Sequence, residues 1–250
     1  MKTTLFTAAI LASTAMAADI SADFTQGSNG WVSGQWNGWN TPHFNYVENG
    51  ALVAQSWKKN TLSTSYEVDA SAATYTFTFS TYSTVKDQQV LFYLSSSNYS
   101  VFVGNSYTSN AYVASGYTEG AVVPKTSQNQ EDSSGFVSFQ DDDDRTVITR
   151  FDKTAGGQSS NINVGTNLNY TLTLTGTQLT IDVTDAANNQ WSDTVTIKED
   201  VTFDSIGFVV DGAVNTVGVK NFEATVTPEP TTATLSLLAL AGLCARRRRK

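Results

Sequence analysis

The feature that most constrains the fold of this chain is a repeated two-residue alternation of apolar and polar side chains. In the stretch TYTFTF, Tyr75, Phe77 and Phe79 fall on one side of an extended chain and threonines fall on the other. The stretches LNYTLTLTG and QLTIDVTD repeat this pattern, and Gly176-Thr177 between them has the composition of a tight hairpin turn. A period of two residues predicts half-buried strands.

Further segments have the composition of short strands and are separated by clusters of Ser, Asn, Gly and Asp. They are Ala51–Gln55, Val90–Leu94, Tyr99–Val103, Phe136–Gln140, Thr146–Phe151, Asp193–Ile197, Ser205–Val210 and Val217–Val226. The last one changes parity, which predicts a β-bulge near Lys220-Asn221. Ten or more short antiparallel strands predict an all-β fold, a two-sheet antiparallel sandwich or jelly roll.

The N-terminus has the order of a secretory signal peptide. A single cation, Lys2, precedes the apolar run LFTAAILA, and small residues follow, ending with Ala15 and Ala17 of an Ala-x-Ala site. The alternative, a buried N-terminal helix, lacks a capping residue. We therefore predict a signal helix over residues 1–17, cleavage after Ala17 and export through the Sec machinery.

The C-terminus combines an extended motif, an apolar stretch and a basic cluster. Pro228, Glu229 and Pro230 precede thirteen largely apolar residues, 233–245, that would reach ~20 Å as a helix. That is short of the roughly 30 Å hydrocarbon core, so we expect a single, marginal transmembrane helix with its basic tail in the cytoplasm. The predicted domains are a signal peptide (1–17), a β-sandwich (18–226) and a sorting signal (227–250).

This three-part tail resembles the PEP-CTERM sorting signal of Gram-negative bacteria. The resemblance rests on Pro228-Glu229-Pro230, the short apolar helix and the cluster Arg246, Arg247, Arg248 and Arg249. It implies recognition by an exosortase, a transient inner-membrane anchor, cleavage near the motif, and delivery to the cell surface or extracellular matrix. It also implies exopolysaccharide as a partner.

The body resembles the concanavalin-A-like lectin/glucanase fold, especially its laminin-G-like adhesive modules. The stretches that carry the resemblance are YTLTLTGTQLTIDVTDAANNQWSDTVTI and SIGFVVDGAVNTVGVKNFEATV. The resemblance implies a sandwich of two antiparallel sheets. Because this fold serves several functions, it does not decide the function of the chain.

Charge and cysteine content exclude several functions. The chain has 15 Lys and Arg against 23 Asp and Glu, a net charge of −8. Removing residues 1–17 and everything after Pro228 leaves 9 cations and 22 carboxylates, a net charge of −13. Such a surface repels nucleic acid. The only cysteine, Cys244, lies in the tail, so the exported domain has no disulfide and no thiolate nucleophile.

The residues needed for catalysis are mostly missing. His43 is the only histidine, and no serine elbow or second catalytic partner accompanies it. Glu67-Val68-Asp69 resembles the start of the Glu-x-Asp-x-x-Glu strand of glucanases of this fold, but the next four residues are Ala, Ser, Ala and Ala. We predict a protein that is not an enzyme, with a glycosidase as the least favoured alternative.

The run DDDD between two predicted strands is the candidate metal site. Asp141 and Asp143 can share a calcium ion at a hairpin tip, with Asp132, Asp152 or Asp211 nearby if the fold allows. The glycine and distal glutamate of a calcium loop are missing, so a solvated acidic loop is favoured. We predict no cofactor, with calcium as the alternative.

Aromatic residues among glycines and polar residues are the best candidates for ligand binding. They are Trp31, Trp36 and Trp39 in one stretch and Tyr99, Tyr107, Tyr112 and Tyr117 in another, of which Tyr107 and Tyr112 are the favoured ones. Exposed tryptophan and tyrosine rings stack on sugar faces, and the alternative is that these rings fill the core. We therefore predict a surface protein that binds glycan or extracellular matrix, with a structural matrix protein lacking a specific ligand as the alternative.

Threonine ladders add one further alternative. Thr74, Thr76 and Thr78 alternate along one predicted strand, as do Thr171, Thr173 and Thr175 along another. This spacing places hydroxyls about 7 Å apart, as in ice-binding faces, but no fixed-length repeat is present to keep such a face flat.

Overall fold

The computed structural model describes residues 19–35, 46–53, 60–83, 89–97, 99–106, 134–141, 144–150, 162–163, 165–198, 201–211 and 217–228. These ranges contain one short 3₁₀ helix, Phe24–Gln26, and a series of β-strands. The strands are β1 (Ile20–Asp23), β2 (Val32–Gln35), β3 (Tyr46–Glu48), β4 (Ala51–Val53), β5 (Asn60–Asp69), β6 (Ala73–Ser83), β7 (Gln89–Ser95), β8 (Tyr99–Ser106), β9 (Ser134–Asp141), β10 (Asp144–Arg150), β11 (Leu168–Thr175), β12 (Gln178–Asp185), β13 (Gln190–Thr196), β14 (Thr202–Asp211) and β15 (Val217–Pro228).

The strands form two antiparallel sheets. Sheet A has the order β13-β12-β11-β6-β15-β4-β3, and β1 also pairs with β15. Sheet B has the order β10-β9-β8-β7-β14-β5-β2. The predicted all-β, two-sheet antiparallel sandwich is confirmed.

The period-two pattern determines which side chains fill the space between the sheets. In β6, Tyr75, Phe77 and Phe79 are at most 3% exposed, and the threonines between them are only half buried. On the neighbouring strand β11, Tyr170 stacks on Phe79 with ring centroids 4.6 Å apart. Phe92 of sheet B packs against the same Phe79 ring at 5.0 Å. Aromatic rings from both sheets therefore form one continuous core.

Two local predictions are confirmed. Residues 176–177 form the two-residue loop between β11 and β12, and Gly176 has φ +54° there, a conformation that glycine adopts without steric cost. The register of β15 against β6 shifts between Val219 and Asn221, so the predicted bulge lies at Lys220. The bulge keeps side chains on both sides of the parity change directed into the core.

The predicted strands are all present, but the prediction omitted β1, β2 and β3 and most of β5. These segments are short or rich in Ser, Thr and Asn, and their pairing with long neighbouring strands compensates for weak local signals. β15 also continues two residues past the predicted boundary at Val226, because Thr227 and Pro228 pair with Thr74 and Ala73.

The sandwich has two ends, and both termini of the described chain lie at one of them. We call this the terminal end; it contains the ends of β5, β6 and β15 at Asp69, Ala73 and Pro228. The Asp19 carboxylate there accepts a 2.8 Å hydrogen bond from the backbone N–H of Val226. The opposite end contains the strand ends at Ser83, Gln89, Ser106 and Asp211, among others.

Within the ranges that the structure describes, no helix is long and apolar enough to cross a membrane. The predicted signal helix of residues 1–17 and the predicted transmembrane helix within 227–250 lie outside those ranges.

Candidate functional site

Trp31 is a core residue, which corrects its prediction as a ligand-binding ring. Its side chain is 8% exposed. Its ring centroid lies 5.2 Å from that of Phe24, 5.1 Å from that of Phe222 and 5.9 Å from that of Phe208. A ring enclosed by three other rings has no free face for a sugar. The burial follows from the 3₁₀ helix and the adjacent turn, which bring Phe24 and Trp31 together over the core.

Tyr99 is likewise a core residue, at 3% exposure. The other predicted aromatic residues, Trp36, Trp39, Tyr107, Tyr112 and Tyr117, lie outside the described residues. The strands that precede them in sequence are β2, ending at Gln35, and β8, ending at Ser106. Both of these strand ends lie at the opposite end of sheet B. The role of these aromatic residues in ligand binding remains a prediction.

The acidic run is a hairpin tip, as predicted. Asp141 of β9 pairs with Asp144 of β10, which leaves only residues 142–143 in the loop. Asp143 and the Asp141 side chain lie outside what the structure describes, as do residues 132 and 152. The expected proximity of Asp211 is wrong: Asp141 pairs with Tyr99 at the terminal end, whereas Asp211 pairs with Gln89 at the opposite end.

The described residues contain no group of three or more metal-ligating side chains. The Asp141 and Asp143 calcium site therefore stays a prediction.

The two acids of the glucanase-like stretch, Glu67 and Asp69, lie on β5 at the terminal end. Glu67 is exposed, and the Asp69 carboxylate organises the turn between β5 and β6. Its Oδ1 accepts hydrogen bonds from the backbone N–H and the hydroxyl of Ser71, at 3.0 and 2.6 Å. Asp69 borders a shallow cavity of about 380 Å³ shared with Thr177 and Lys198. Lys198 places its ammonium 5.7 Å from the Tyr99 ring centroid. His43 lies outside the described residues.

Of the predicted sorting signal, only Pro228 is described, as the last residue of β15. Glu229, Pro230, Arg246, Arg247, Arg248 and Arg249, and the cleavage-site residues Ala15 and Ala17, lie outside the described ranges.

The outward surface of sheet A carries a regular array of hydroxyl side chains. The alternate residues that β6 and β11 do not bury are threonines except for Ser80 and Asn169, and the neighbouring strands continue the pattern. We call this surface the threonine face. Its threonines are Thr74, Thr76, Thr78, Thr171, Thr173, Thr175, Thr180, Thr184, Thr194, Thr196, Thr225 and Thr227.

Strand register aligns these residues in rows across five strands. The first row is Thr196, Gln178, Thr175, Thr74 and Thr227, in the order β13, β12, β11, β6 and β15. The second row is Thr194, Thr180, Thr173, Thr76 and Thr225. Neighbouring strands lie about 4.8 Å apart, and alternate residues of one strand about 6.8 Å apart. The two rows are thus a grid of nine threonines and one glutamine.

Hydrogen bonds within the grid hold several of these side chains in place. The hydroxyls of Thr74 and Thr175 are 2.8 Å apart, and those of Thr180 and Thr194 are 2.9 Å apart. The Gln178 amide donates a 3.1 Å hydrogen bond to the Thr196 hydroxyl. Threonine is also stiff at χ1, so the face loses little side-chain entropy when it contacts another molecule.

Charged residues begin in the row beyond the grid. That row contains Asp182 of β12 and Glu223 of β15, both exposed, on either side of Thr171 and Thr78. Glu223 also borders a depression of about 230 Å³ where β1 joins β15. The uncharged grid is therefore bounded by carboxylates on the side away from the terminal end.

The outward surface of sheet B is different in its centre. Leu91, Tyr93, Phe102 and Val209 form a second apolar cluster there and are at most 5% exposed. Burial raises the pKa of the Tyr93 hydroxyl, although its hydrogen bonds with Ser63 and Ser205 act in the opposite direction. A side chain on Gly207 would lie 2.6 Å from the Tyr93 ring, so glycine makes room for it.

Asp185 is a buried charge that closes the loop between β12 and β13. It is 2% exposed, and its carboxylate accepts hydrogen bonds of 2.8–3.0 Å from the Asn189 side chain and from the backbone N–H groups of Asn163, Ala187 and Asn189. Desolvation raises its pKa, but the bonds from Asn189, Asn163 and Ala187 outweigh that effect and lower it. Four donors saturate this carboxylate, which gives it a structural role.

Comparison with known proteins finds no matching family model and no matching curated protein. Solved structures do match. A lectin from Bauhinia forficata in complex with GalNAc has a TM-score of 0.49 and 11% identity over 84% of this chain and 99% of that chain. The globular domain of T. cruzi calreticulin has a TM-score of 0.48 and 10% identity over 88% and 90%.

A further match is the CBM2 module of the evolved Dit of Lactobacillus casei BL23 phage J-1. Its TM-score is 0.46, with 12% identity over 84% of this chain and 96% of that module. TM-scores below 0.5 at such low identity assign neither a family nor a ligand to this chain.

The threonine face combines residues that sequence reasoning noticed with residues that it missed. The columns along β6 and β11 were evident as T-x-T ladders, whereas Thr180, Thr194 and Thr225 were not recognised as their neighbours. The signal for them is present, because each is the polar member of an alternating strand. Only the strand order places them side by side.

Proposed function

We propose that the sandwich binds an extracellular glycan through the threonine face. The observation that carries this proposal is the grid of its first two rows: uncharged, hydroxyl-bearing side chains in register across five strands of an otherwise anionic protein. A sugar chain presents hydroxyl groups that both donate and accept hydrogen bonds, and threonine hydroxyls do the same. The threonine methyl groups supply apolar contact for sugar C–H groups.

The site of action that we propose is the bacterial envelope. The signal-peptide pattern ending at Ala17 supports export, and the resemblance of Pro228-Glu229-Pro230 and the arginine cluster to a PEP-CTERM signal supports sorting by an exosortase. In this proposal the protein is anchored transiently in the inner membrane and then released to the cell surface or matrix. Exopolysaccharide in that location is the candidate ligand.

A set of isosteric substitutions tests the binding proposal. Thr76→Val, Thr173→Val and Thr180→Val together remove three neighbouring hydroxyls of the second row while keeping shape and strand preference. We expect the purified domain, residues 18–228, to bind at least one neutral polysaccharide, and the triple variant to bind it about tenfold or more weakly, equivalent to about 1.4 kcal/mol. Retention in affinity electrophoresis measures this.

The matched control is Thr202→Val, an exposed threonine of β14 in the other sheet. It should bind like the unaltered domain. Equal binding by the triple variant would remove the threonine face as the site. If the unaltered domain binds no glycan on a broad glycan array, glycan binding is rejected and a structural matrix protein is favoured.

A further inference from the structure

We infer that the threonine face selects an uncharged, extended glycan whose chain runs across the strands, along the first two rows, over four or more sugar units. This inference rests on the proposed function and names its ligand class and binding direction. It follows from the distribution of charge, from the shape of the grid and from the fixed positions of its hydroxyls.

The distribution of charge excludes acidic glycans. The first two rows contain no charged residue, and the exposed carboxylates of Asp182 and Glu223 stand in the adjacent row. An isolated domain with a net charge near −13 also repels polyanions at a distance. An uncharged chain meets neither penalty, and its hydroxyls can donate hydrogen bonds to the bordering carboxylates.

The shape of the grid sets the direction of the chain. On β12 and β15, the uncharged path along the strand ends at a carboxylate, Asp182 or Glu223. On β6 and β11 it continues to Ser80 and Asn169, but it passes between these two carboxylates. Across the strands, the second row runs without interruption from Thr194 to Thr225, and the next carboxylate in that direction is that of Asp19, beyond β15. Its four strand spacings of about 4.8 Å give a path of roughly 19 Å. A strand spacing is close to the length of one sugar unit in an extended chain, so the row matches a chain of at least four units.

The twist of the sheet distinguishes this ligand from a flat lattice. Adjacent strands rotate by roughly 20–25° relative to one another, so hydroxyls five strands apart do not lie in one plane. A glycan adjusts to this rotation at each glycosidic bond, whereas an ice surface cannot. The hydroxyl pairs Thr74–Thr175 and Thr180–Thr194 are already fixed, which lowers the entropy cost of binding.

Two series of oligosaccharides test the inference on the same isolated domain. One contains neutral β-linked glucose oligomers of two to eight units, and the other contains uronic acid oligomers of matched length, each measured by isothermal titration calorimetry. We expect affinity for the neutral series to rise at least about tenfold between two and five units and then to level off, with the uronic acid series at least tenfold weaker.

A charge substitution provides a variant that must respond in the predicted direction. Thr173→Lys places a cation in the centre of the second row, and Thr202→Lys places one at an exposed position of sheet B as the control. Thr173→Lys should weaken neutral binding and bring the affinity for uronic acid oligomers to within about threefold of the neutral ones. Thr202→Lys should leave the preference unchanged.

The possible failures are distinguishable. Binding of a neutral polysaccharide without dependence on length, or equal affinity for both series, overturns this inference and leaves glycan binding intact. No binding to any glycan overturns the proposed function as well. Two further results, each obtained without glycan binding, would assign the face to another occupant and overturn both proposals. One is ice adsorption, measured as thermal hysteresis. The other is self-association in sedimentation that Thr173→Lys abolishes.

Discussion

The two sheets share one core but differ on their outward surfaces. Outside sheet A, the first two rows of the threonine face are polar and uncharged, and every threonine in them is half-buried or exposed. Outside sheet B, Leu91, Tyr93, Phe102 and Val209 are almost completely buried. The outward face of sheet A therefore reaches solvent along these two rows, whereas the centre of sheet B is buried on both faces.

The difference can be read in the strands themselves. β6 up to Phe79 and β11 from Tyr170 alternate between apolar residues and threonine, as expected for strands with one solvated face. β7, β8 and β14 contain the continuous runs VLFYL, VFV and FVV, which are typical of strands buried on both faces. The same fold thus uses two sequence patterns, and the pattern shows which outward surface reaches solvent.

The strongest test of this comparison places the same charge on both outward surfaces. Val209→Asp introduces an unpaired carboxylate at a position with no solvent exposure, and we expect a loss of about 3–5 kcal/mol in the free energy of unfolding. Thr173→Asp should cost no more than about 1 kcal/mol, because its side chain reaches water. Urea unfolding followed by tryptophan fluorescence measures both. Equal losses of unfolding free energy in the two variants would mean that the two outward surfaces do not differ in burial.

A smaller effect is expected from adding one methyl group under Tyr93. Gly207→Ala would place a Cβ 2.6 Å from both the Tyr93 ring and the Leu62 carbonyl oxygen. We expect a loss of about 2–3 kcal/mol, since backbone and ring must move apart. Tyr93→Phe, which keeps the ring and removes its hydroxyl, serves as the comparison and should cost about 1 kcal/mol. Chemical denaturation measures the stability of both variants. A Gly207→Ala protein as stable as the wild type would contradict this prediction.

Asp185→Asn weakens sheet A at its edge without changing the threonine face. Replacing a carboxylate that accepts four hydrogen bonds should cost about 1–3 kcal/mol at neutral pH. Because folding lowers the pKa of Asp185, its contribution is complete above the unfolded value near pH 4 and is lost as pH falls through the folded value.

The control for this variant is Asp182→Asn, an exposed carboxylate on the same strand. Stability measured from pH 7 down to pH 2 should decline less steeply in Asp185→Asn than in the wild type, and Asp182→Asn should follow the wild type. A parallel decline in wild type and Asp185→Asn would show that Asp185 does not couple folding to pH.

The smallest effect on stability is expected on the threonine face itself. Thr173→Val should change the free energy of unfolding by no more than about 0.5 kcal/mol, because it keeps the shape and removes a hydroxyl at the surface. If glycan binding nevertheless falls, binding and folding are separable on this surface. A large loss of stability would show that the hydroxyl network, rather than the core beneath it, holds sheet A together.

The sequence predicted the fold class because alternation is a local signal. The alternation of Tyr75, Phe77 and Phe79 with threonines predicts their strand from the local sequence alone, whichever strands lie beside it. Trp31 could not be placed in the same way, since its burial depends on Phe208 and Phe222 from distant strands. Glycine and asparagine around it gave the appearance of an exposed loop.

The candidate site was harder to predict than the fold because it depends on register. Thr173 and Thr76 belong to strands almost one hundred residues apart, and their adjacency is decided by how β11 pairs with β6. A shift of one residue would direct every threonine of one strand toward the core. Asp211 shows the same dependence, since its separation from Asp141 follows from strand direction alone.

The position of Pro228 has a mechanical consequence. β15 lies inside sheet A, paired with β6 along its length and with β1 and β4 on its other side. A pull on the chain beyond Pro228 acts along the strand axis, so it shears many ladder hydrogen bonds at once instead of opening them one by one. Thr225 and Thr227 of the threonine face belong to this same strand. Tension between a tether at the C-terminus and a ligand held on that face would therefore pass through one of the best-supported strands of the domain.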